Sequence, residues 1–339
     1  MLLDDGKNLG GTIKMKYKVG FVGCGRIAGL KDKPSKDDYI VTHAQAFCRH
    51  PLFELSAVTC PNNYKKFQEI WNLPNSYATL DEMLKYEKLD VISVCSPNTY
   101  HFPQIVKILK SQNCPKIIFA EKPICLNSSE LEKLKSLSNK SNCKILVNHT
   151  RRYDPGHIRV RKYIDKGELG NLVCGRCDYY GGWLHNGCHL VDTLRMLFDD
   201  DLKVEEVNAG PPGRDNDPCY NVKLSIRNAP VDLIGFDKDY YQIYDSEFRF
   251  ENGRIRIQDF GKQISIEKAL VNKNNDRVLL PLSDSPWKGL DSPIYHAVDL
   301  IGNYLEKDEP LSGHGVLIDE VSNTMLFLWK TKEMYEKKK

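Results

Sequence analysis

No apolar run in the sequence approaches the ~20 residues that a membrane-spanning helix needs. A secretory signal is missing too. The opening MLLDDGKNLGGTIKM carries acids early and has no apolar core, so it reads as a flexible leader over residues 1–15. Charge of one sign is also lacking: 48 Lys plus Arg stand against 45 Asp plus Glu, a net +3. Apart from Lys337 to Lys339 the basic residues are dispersed, which argues against nucleic acid as a partner. The 11 cysteines are odd in number and scattered from Cys24 to Cys219, with no disulfide framework. A reducing, cytoplasmic setting is expected. Cys174 and Cys177 form a lone C-x-x-C in a strand-like run, where they point to opposite faces, so no metal site is expected. There is no internal repeat or low-complexity tract. What remains is an ordinary globular composition, 41% hydrophobic and 27% charged, over 339 residues, a length that favours two domains.

From Tyr17 to Asn148, short β-branched runs alternate with amphipathic stretches, as in β-α-β units winding a parallel sheet. Strands are predicted at Tyr17 to Val22, Glu54 to Thr59, Val91 to Cys95, Ile117 to Ala120 and Ile145 to Val147. Helices are predicted at Phe102 to Leu109 and Ser128 to Leu137. The polar stretch Lys31 to Asp38 reads as a surface insertion. After Thr150 strand-like runs follow one another to Ala269, which implies an antiparallel sheet in an α+β unit. Phe248, Phe250, Ile255, Ile257, Ile264 and Ile266 recur at period two and predict one apolar sheet face. A broad strand face of that kind needs covering, which predicts a homodimer or homotetramer. The division expected is 16–150 for a dinucleotide-binding domain, 151–315 for a substrate and oligomerisation domain, and 316–339 for a helix bracing the first.

Gly23-Cys24-Gly25-Arg26-Ile27-Ala28 follows the first strand directly and is expected to open a helix, the context of a G-x-G-x-x-A dinucleotide fingerprint. Gly23 allows the turn, Gly25 lets backbone approach a pyrophosphate, and the helix N-terminus, with Arg26 and Ile27, supplies N–H groups. The acid that usually ends the second strand is replaced by Cys60, so neither NAD nor NADP is excluded and NAD is slightly favoured. Ser96, Pro97 and Asn98, with His101, form a loop at the carboxyl end of the sheet that is expected to face the cofactor; His101 alternatively caps a helix. Glu121-Lys122-Pro123 ends the next strand, so Lys122 projects into the same cleft, where an ammonium stabilises developing oxygen charge. Read alone, Lys122 would equally be a solvated lysine. In the second half, Gly181-Gly182 leads through His185 and Asn186 to a helix that presents His189 in its first turn, followed by Asp192. An imidazole with a pKa near neutrality suits a general base, although a histidine so placed, read alone, is more often a satisfied core residue than a catalyst. Arg151 and Arg152 follow the last parallel strand and would either grip a substrate anion or tie the domains together.

Together these motifs resemble the Gfo/Idh/MocA family of dinucleotide-dependent sugar oxidoreductases, from about Lys16 to Tyr335. The resemblance implies a Rossmann domain followed by an open, mostly antiparallel sheet that often forms oligomer contacts. It implies that Lys122 and His189 assist hydride transfer, with Arg151, Arg152, Tyr153, His185, Asn186 and Asp192 toward the substrate. His185 stands where the family often has Asp or Asn. The segments Asn148 to Pro155 and His185 to His189 look most like members serving surface-polysaccharide or nucleotide-sugar pathways. The expected activity is NAD(P)-dependent oxidation or reduction at a CH–OH carbon. A dinucleotide-binding regulator and a cofactor-assisted glycosidase are the alternatives.

Overall fold

Residues 15–34, 39–199, 202–214 and 216–338 are described by the structure, a computed structural model. The expected leader up to residue 14, and residues 35–38 of the polar insertion, lie outside the described residues.

The first sheet has six strands: β1 (Tyr17–Val22), β2 (Phe53–Thr59), β3 (Asn75–Tyr77), β4 (Val91–Val94), β5 (Ile117–Ala120) and β6 (Lys144–Val147). All pairings are parallel and the order is β3-β2-β1-β4-β5-β6. The near-continuous apolar runs were its signal, because both faces are covered. The short strand β3 is half-exposed and carries no such run. Helices α1 (His43–Arg49), α2 (Tyr64–Trp71), α3 (Leu80–Tyr86), α4 (Asn98–Leu109) and α5 (Ser128–Ser141) connect the strands. Asn127 caps α5 by accepting from the Glu130 N–H, and Thr79 with Glu82 closes a capping box on α3. One face buries Phe21, Phe47, Phe53 and Phe67; the other buries Ile92, Ile105, Ile118 and Leu131. The strand order reverses between β1 and β4, which opens a crevice at their carboxyl ends.

The chain then forms α6 (Pro155–Asp165), β7 (Leu172–Tyr180), α7 (Cys188–Phe198), β8 (Leu202–Ala209), β9 (Tyr220–Ile226), β10 (Ala229–Phe236), β11 (Asp245–Phe250), β12 (Gly253–Gln258), β13 (Gln263–Val271), β14 (Arg277–Pro281) and β15 (Trp287–Lys288). These strands make a nine-stranded sheet in which only β7 and β10 pair in parallel. Its period-two residues Phe248, Ile255, Ile264 and Ile266 pack with Val160 of α6 and Leu194 of α7. The apolar face is therefore covered by helices of the same chain, which removes the reason for expecting another subunit to cover it. The opposite face carries ion pairs: Arg176 with Asp178 at 2.8 Å, Arg249 with Glu247 at 2.5 Å and Arg254 with Glu267 at 2.5 Å.

Two last helices, α8 (Pro293–Lys307) and α9 (Ile318–Glu336), return to the first sheet. Ile294, Val298 and Ile301 of α8 join the core of Phe47 and Phe53. Ile318 and Val321 of α9 join the core of Leu131, whereas Met325 and Leu328 of the same helix join that of the second sheet. Just before α9, the Val147 N–H donates to the Val316 carbonyl at 3.0 Å and Leu146 pairs antiparallel with Leu317.

Candidate functional site

Gly23 turns the chain out of β1 with φ +88°, and a Cβ there would lie 2.6 Å from the Ser96 nitrogen, so glycine is required. A Cβ on Gly25 would meet nothing within 4 Å. That open side is where a dinucleotide backbone would approach, and Gly25, Arg26 and Ile27 are all exposed there. The expected helix does not follow. Residues 26–31 form turns, with the Gly29 and Leu30 N–H groups both donating to the Gly25 carbonyl at 3.2 and 3.1 Å. Gly29, at φ +123°, ends the winding, and Trp71 Nε1 donates to its carbonyl at 3.1 Å. The first regular helix, α1, begins only at His43.

Cys60 is half-exposed at the end of β2. Pro97 and Asn98 are exposed at the start of α4, and the Ser96 hydroxyl donates to Gln104 at 2.5 Å. His101 does not face the cleft. Because α4 starts at Asn98 rather than Phe102, His101 falls in its first turn, fully buried, with Nε2 2.6 Å from the Ser96 carbonyl and Nδ1 2.7 Å from that of Pro123. It braces the two cleft loops against each other, and it does not cap α4, whose N-terminus has no side-chain cap.

Beneath the cleft lies a network in which sequence reasoning assigned no role to His43 or Asn148. His43 Nδ1 is 2.8 Å from the Ser93 hydroxyl and Nε2 is 2.9 Å from Glu121, whose Oε1 also accepts from Asn148 Nδ2 at 2.6 Å. Burial opposes charge on His43, yet Cys95 and Glu121 hold its pKa up to about 10. Burial likewise opposes charge on Glu121, but His43, Asn148 and Lys122 keep it below the ordinary carboxylate range. Asn148 stands one residue past β6, at the same sheet edge as Glu121 past β5, and that shared edge was a usable signal. His43 follows an irregular segment and offered none.

Lys122 projects from this network toward the second unit, and its Nζ donates to the His185 carbonyl at 3.0 Å. His185 lies in a π-helical turn, Trp183–Gly187, entered through Gly182 at φ +108°. Asp217 fixes the turn by accepting from the Leu184 and His185 N–H groups at 3.1 and 2.8 Å. A Cβ on Gly182 would strike Asp217. Asp217 was not singled out in the sequence, where it sits in a loop without a motif. Asn186 is half-buried in the turn.

The turn leads into α7 and places His189 in its first turn. The expectation of a pKa near neutrality is overturned: burial, then Lys122, Arg151, His149 and His185, push it well below 6.5. Its ring is 6.3 Å from that of His149. His149 is lowered too, chiefly by burial, although Asp192 opposes the shift. Asp192 is buried, accepting from Arg152 Nε at 2.8 Å and from the Thr324 hydroxyl at 2.9 Å. Arg152 is thus ion-paired, but with Asp192 of the same 151–315 unit, so the pair is not the interdomain tie offered as the alternative to substrate binding. Arg151 is buried as well, donating to the Phe260 carbonyl at 2.7 Å with its guanidinium 4.5 Å from the Tyr244 ring centre. The Tyr153 hydroxyl donates to the Val147 carbonyl at 3.0 Å and is buried. Of the residues expected toward the substrate, His185 and Asn186 border the cleft with Lys122 and His189, whereas Arg151, Arg152, Tyr153 and Asp192 support it from behind.

Comparison with known proteins agrees with this geometry. Residues 17–149 match the family described as oxidoreductase family, NAD-binding Rossmann fold. Inositol 2-dehydrogenase of Rhizobium meliloti is 26% identical over 161 residues, 47% of this chain and 43% of that protein. Oxidoreductase P35 of Formosa agariphila is 24% identical over 163 residues, 48% of this chain and 46% of that protein. The matched region thus spans about half the length of these curated relatives. Among solved structures, a variant of KijD10, a 3-ketoreductase from Actinomadura kijaniata in complex with TDP-benzene and NADP, superposes with a TM-score of 0.73 at 16% identity, covering 94% of this chain and 97% of that one. An oxidoreductase from Agrobacterium radiobacter in complex with NAD+, L-tartaric acid and magnesium gives 0.69 at 13% identity, covering 93% of this chain and 94% of that one. The fingerprint at the switch point of the six-stranded parallel sheet thus falls within residues 17–149, the region that matches the Gfo/Idh/MocA oxidoreductase family.

Proposed function

We propose that the protein is an NAD(P)-dependent oxidoreductase acting on a hydroxyl or keto carbon of a sugar or nucleotide-sugar. One observation carries the reading: Lys122 Nζ, held 3.0 Å from the His185 carbonyl, joins the dinucleotide half to the turn that delivers His189. The residues that would hold the dinucleotide are Gly23, Gly25, Arg26 and Ile27 at the fingerprint, Cys60 beyond β2, and Ser96, Pro97 and Asn98 before α4. The bound nicotinamide supplies the hydride acceptor or donor. Lys122 stabilises negative charge on the substrate oxygen, and neutral His189 accepts the proton that leaves the hydroxyl. Its depressed pKa keeps it an acceptor throughout the neutral range. Glu121 leaves the Lys122 charge available because its own charge is met by His43 and Asn148.

The test is a panel of sugars and nucleotide-sugars with each dinucleotide, followed by reduced-nicotinamide absorbance and product analysis. Net oxidation or reduction that falls at least about a hundredfold in both Lys122→Met and His189→Ala supports the reading. Net hydrolysis would move the protein to the glycosidase alternative, and dinucleotide binding without turnover to the regulator. NAD and NADP affinities should differ by less than about a hundredfold, since no carboxylate follows β2. We also propose that copies associate through the ion-paired face of the second sheet, where both charge signs allow a self-complementary interface.

A further inference from the structure

The ends of the first two strands bring two thiols together. β1 and β2 pair with Val22 opposite Thr59, and the Gly23 N–H donates to the Thr59 carbonyl at 2.9 Å. Cys24, in the fingerprint turn, and Cys60, next after Thr59, are thereby neighbours across the strand ends, and both pack into the core of Phe21 and Phe67. Cys24 is 2% exposed; Cys60 is half-exposed and reachable from the cleft. The backbone amides of Asn62, Asn63 and Cys24 also favour the thiolate form of Cys60. A sulfur surrounded by donors is stabilised as thiolate. The neighbouring Cys24 thiol is the largest cause of a Cys60 pKa of about 5, and the same pairing, then burial, pushes the Cys24 thiol up. An accessible thiolate beside a buried protonated thiol is the arrangement of an attacking and a resolving cysteine.

We propose that Cys24 and Cys60 are a peroxide-sensitive pair that closes as a disulfide across the dinucleotide fingerprint and thereby blocks cofactor binding. The proposal rests on the reading of Gly23 to Ala28 as the dinucleotide site. In the first step the Cys60 thiolate attacks a hydroperoxide: an S–O bond forms, the O–O bond breaks, and the leaving oxygen takes up a proton. Cys24 then loses its proton and attacks the Cys60 sulfenic acid, so that an S–S bond forms, the S–O bond breaks and water leaves. The two thiols lose two electrons in all, the peroxide gains them, and a dithiol reductant reverses the change. The new bond would draw the Cys60 sulfur inward to the buried Cys24, beneath the fingerprint turn and away from the ribose position. Cys114 and Cys143 also touch, but they precede β5 and β6 and so sit at the opposite end of the sheet. Oxidation there should leave the fingerprint untouched.

The experiment treats the purified full chain with stoichiometric hydrogen peroxide, maps disulfides by non-reducing peptide mass spectrometry, and titrates NADH and NADPH by fluorescence before oxidation, after it, and after dithiothreitol. The expected result is a Cys24–Cys60 cross-link, at least about a tenfold loss of affinity that dithiothreitol reverses, and protection by prebound dinucleotide. In Cys60→Ser, affinity should be unmoved by peroxide, whatever its starting value. Absence of the cross-link in a chain that binds dinucleotide, a cross-link with unchanged affinity, or a peroxide effect that persists in Cys60→Ser overturns the proposal. A reduced chain that binds neither dinucleotide overturns the fingerprint reading, and the proposed block falls with it.

Discussion

His43 and His189 sit on the two sides of one cleft and are driven in opposite directions. On the first-sheet side every charge has a partner: Glu121 faces His43, and Ser93 and Asn148 complete their hydrogen bonding. His43 is consequently held protonated. On the α7 side, burial pushes the His189 pKa down, and Lys122, Arg151, His149 and His185 add to its effect. A histidine there gives up its proton. Burial acts alike on both; the sign of the neighbouring charge decides the outcome. One side keeps a charge, the other keeps a lone pair.

The strongest way to break this contrast is Glu121→Ala, which strands the His43 charge in a fully buried site. Chemical denaturation should show a loss of about 3–5 kcal/mol, as for other buried pairs deprived of one partner. A loss below ~1 kcal/mol would mean that His43 is neutral. The pH dependence has a definite sign. With its folded pKa raised from 6.5 to about 10, His43 contributes stability in full below pH 6.5, and this is lost as pH rises through about 10. His43→Gln should flatten that alkaline decline relative to the unaltered chain.

Next in size, Lys122→Met should lower turnover roughly a hundredfold while leaving dinucleotide affinity within a few fold. Near-normal turnover would remove Lys122 from the chemistry. The same substitution sharpens the other half of the contrast. Lys122 is the largest charge depressing His189 after burial, so Lys122→Met should move the His189 imidazole titration upward, as read by NMR. In the unaltered chain His189 should titrate below 6.5, the unfolded chain taking up protons first, so this group costs stability as pH falls through that range. The smallest effect concerns association. Sedimentation at micromolar concentration should show a dimer or tetramer that weakens in high salt, because the face proposed to mediate it is laced with ion pairs. A monomer at low salt would contradict that interface.

Much of the first half was legible because buried parallel strands write themselves as apolar runs, and β1 and β5 fell on the residues expected. The fingerprint was legible as a motif but not as a shape, since Gly29 ends the winding where a helix was expected. Lys122 and His189 could be singled out because each lies beside an element end that the pattern located. The direction of the His189 shift was not, because it depends on Lys122, Arg151 and His149, which lie 67, 38 and 40 residues away in the chain. Arg151 and Arg152 show the same gap: their position after β6 was correct, but which way each points is settled by Phe260 and Asp192.

The return of α8 and α9 has a consequence for how the molecule is made. Both sheets are complete in the chain before Pro293 leaves the ribosome, yet Phe47 and Phe53 still await Ile294, Val298 and Ile301. The flank of Leu131 awaits Ile318 and Val321, and the edge of β6 awaits Val316. A nascent chain of this protein therefore presents sticky aromatic surface until α8 has been translated.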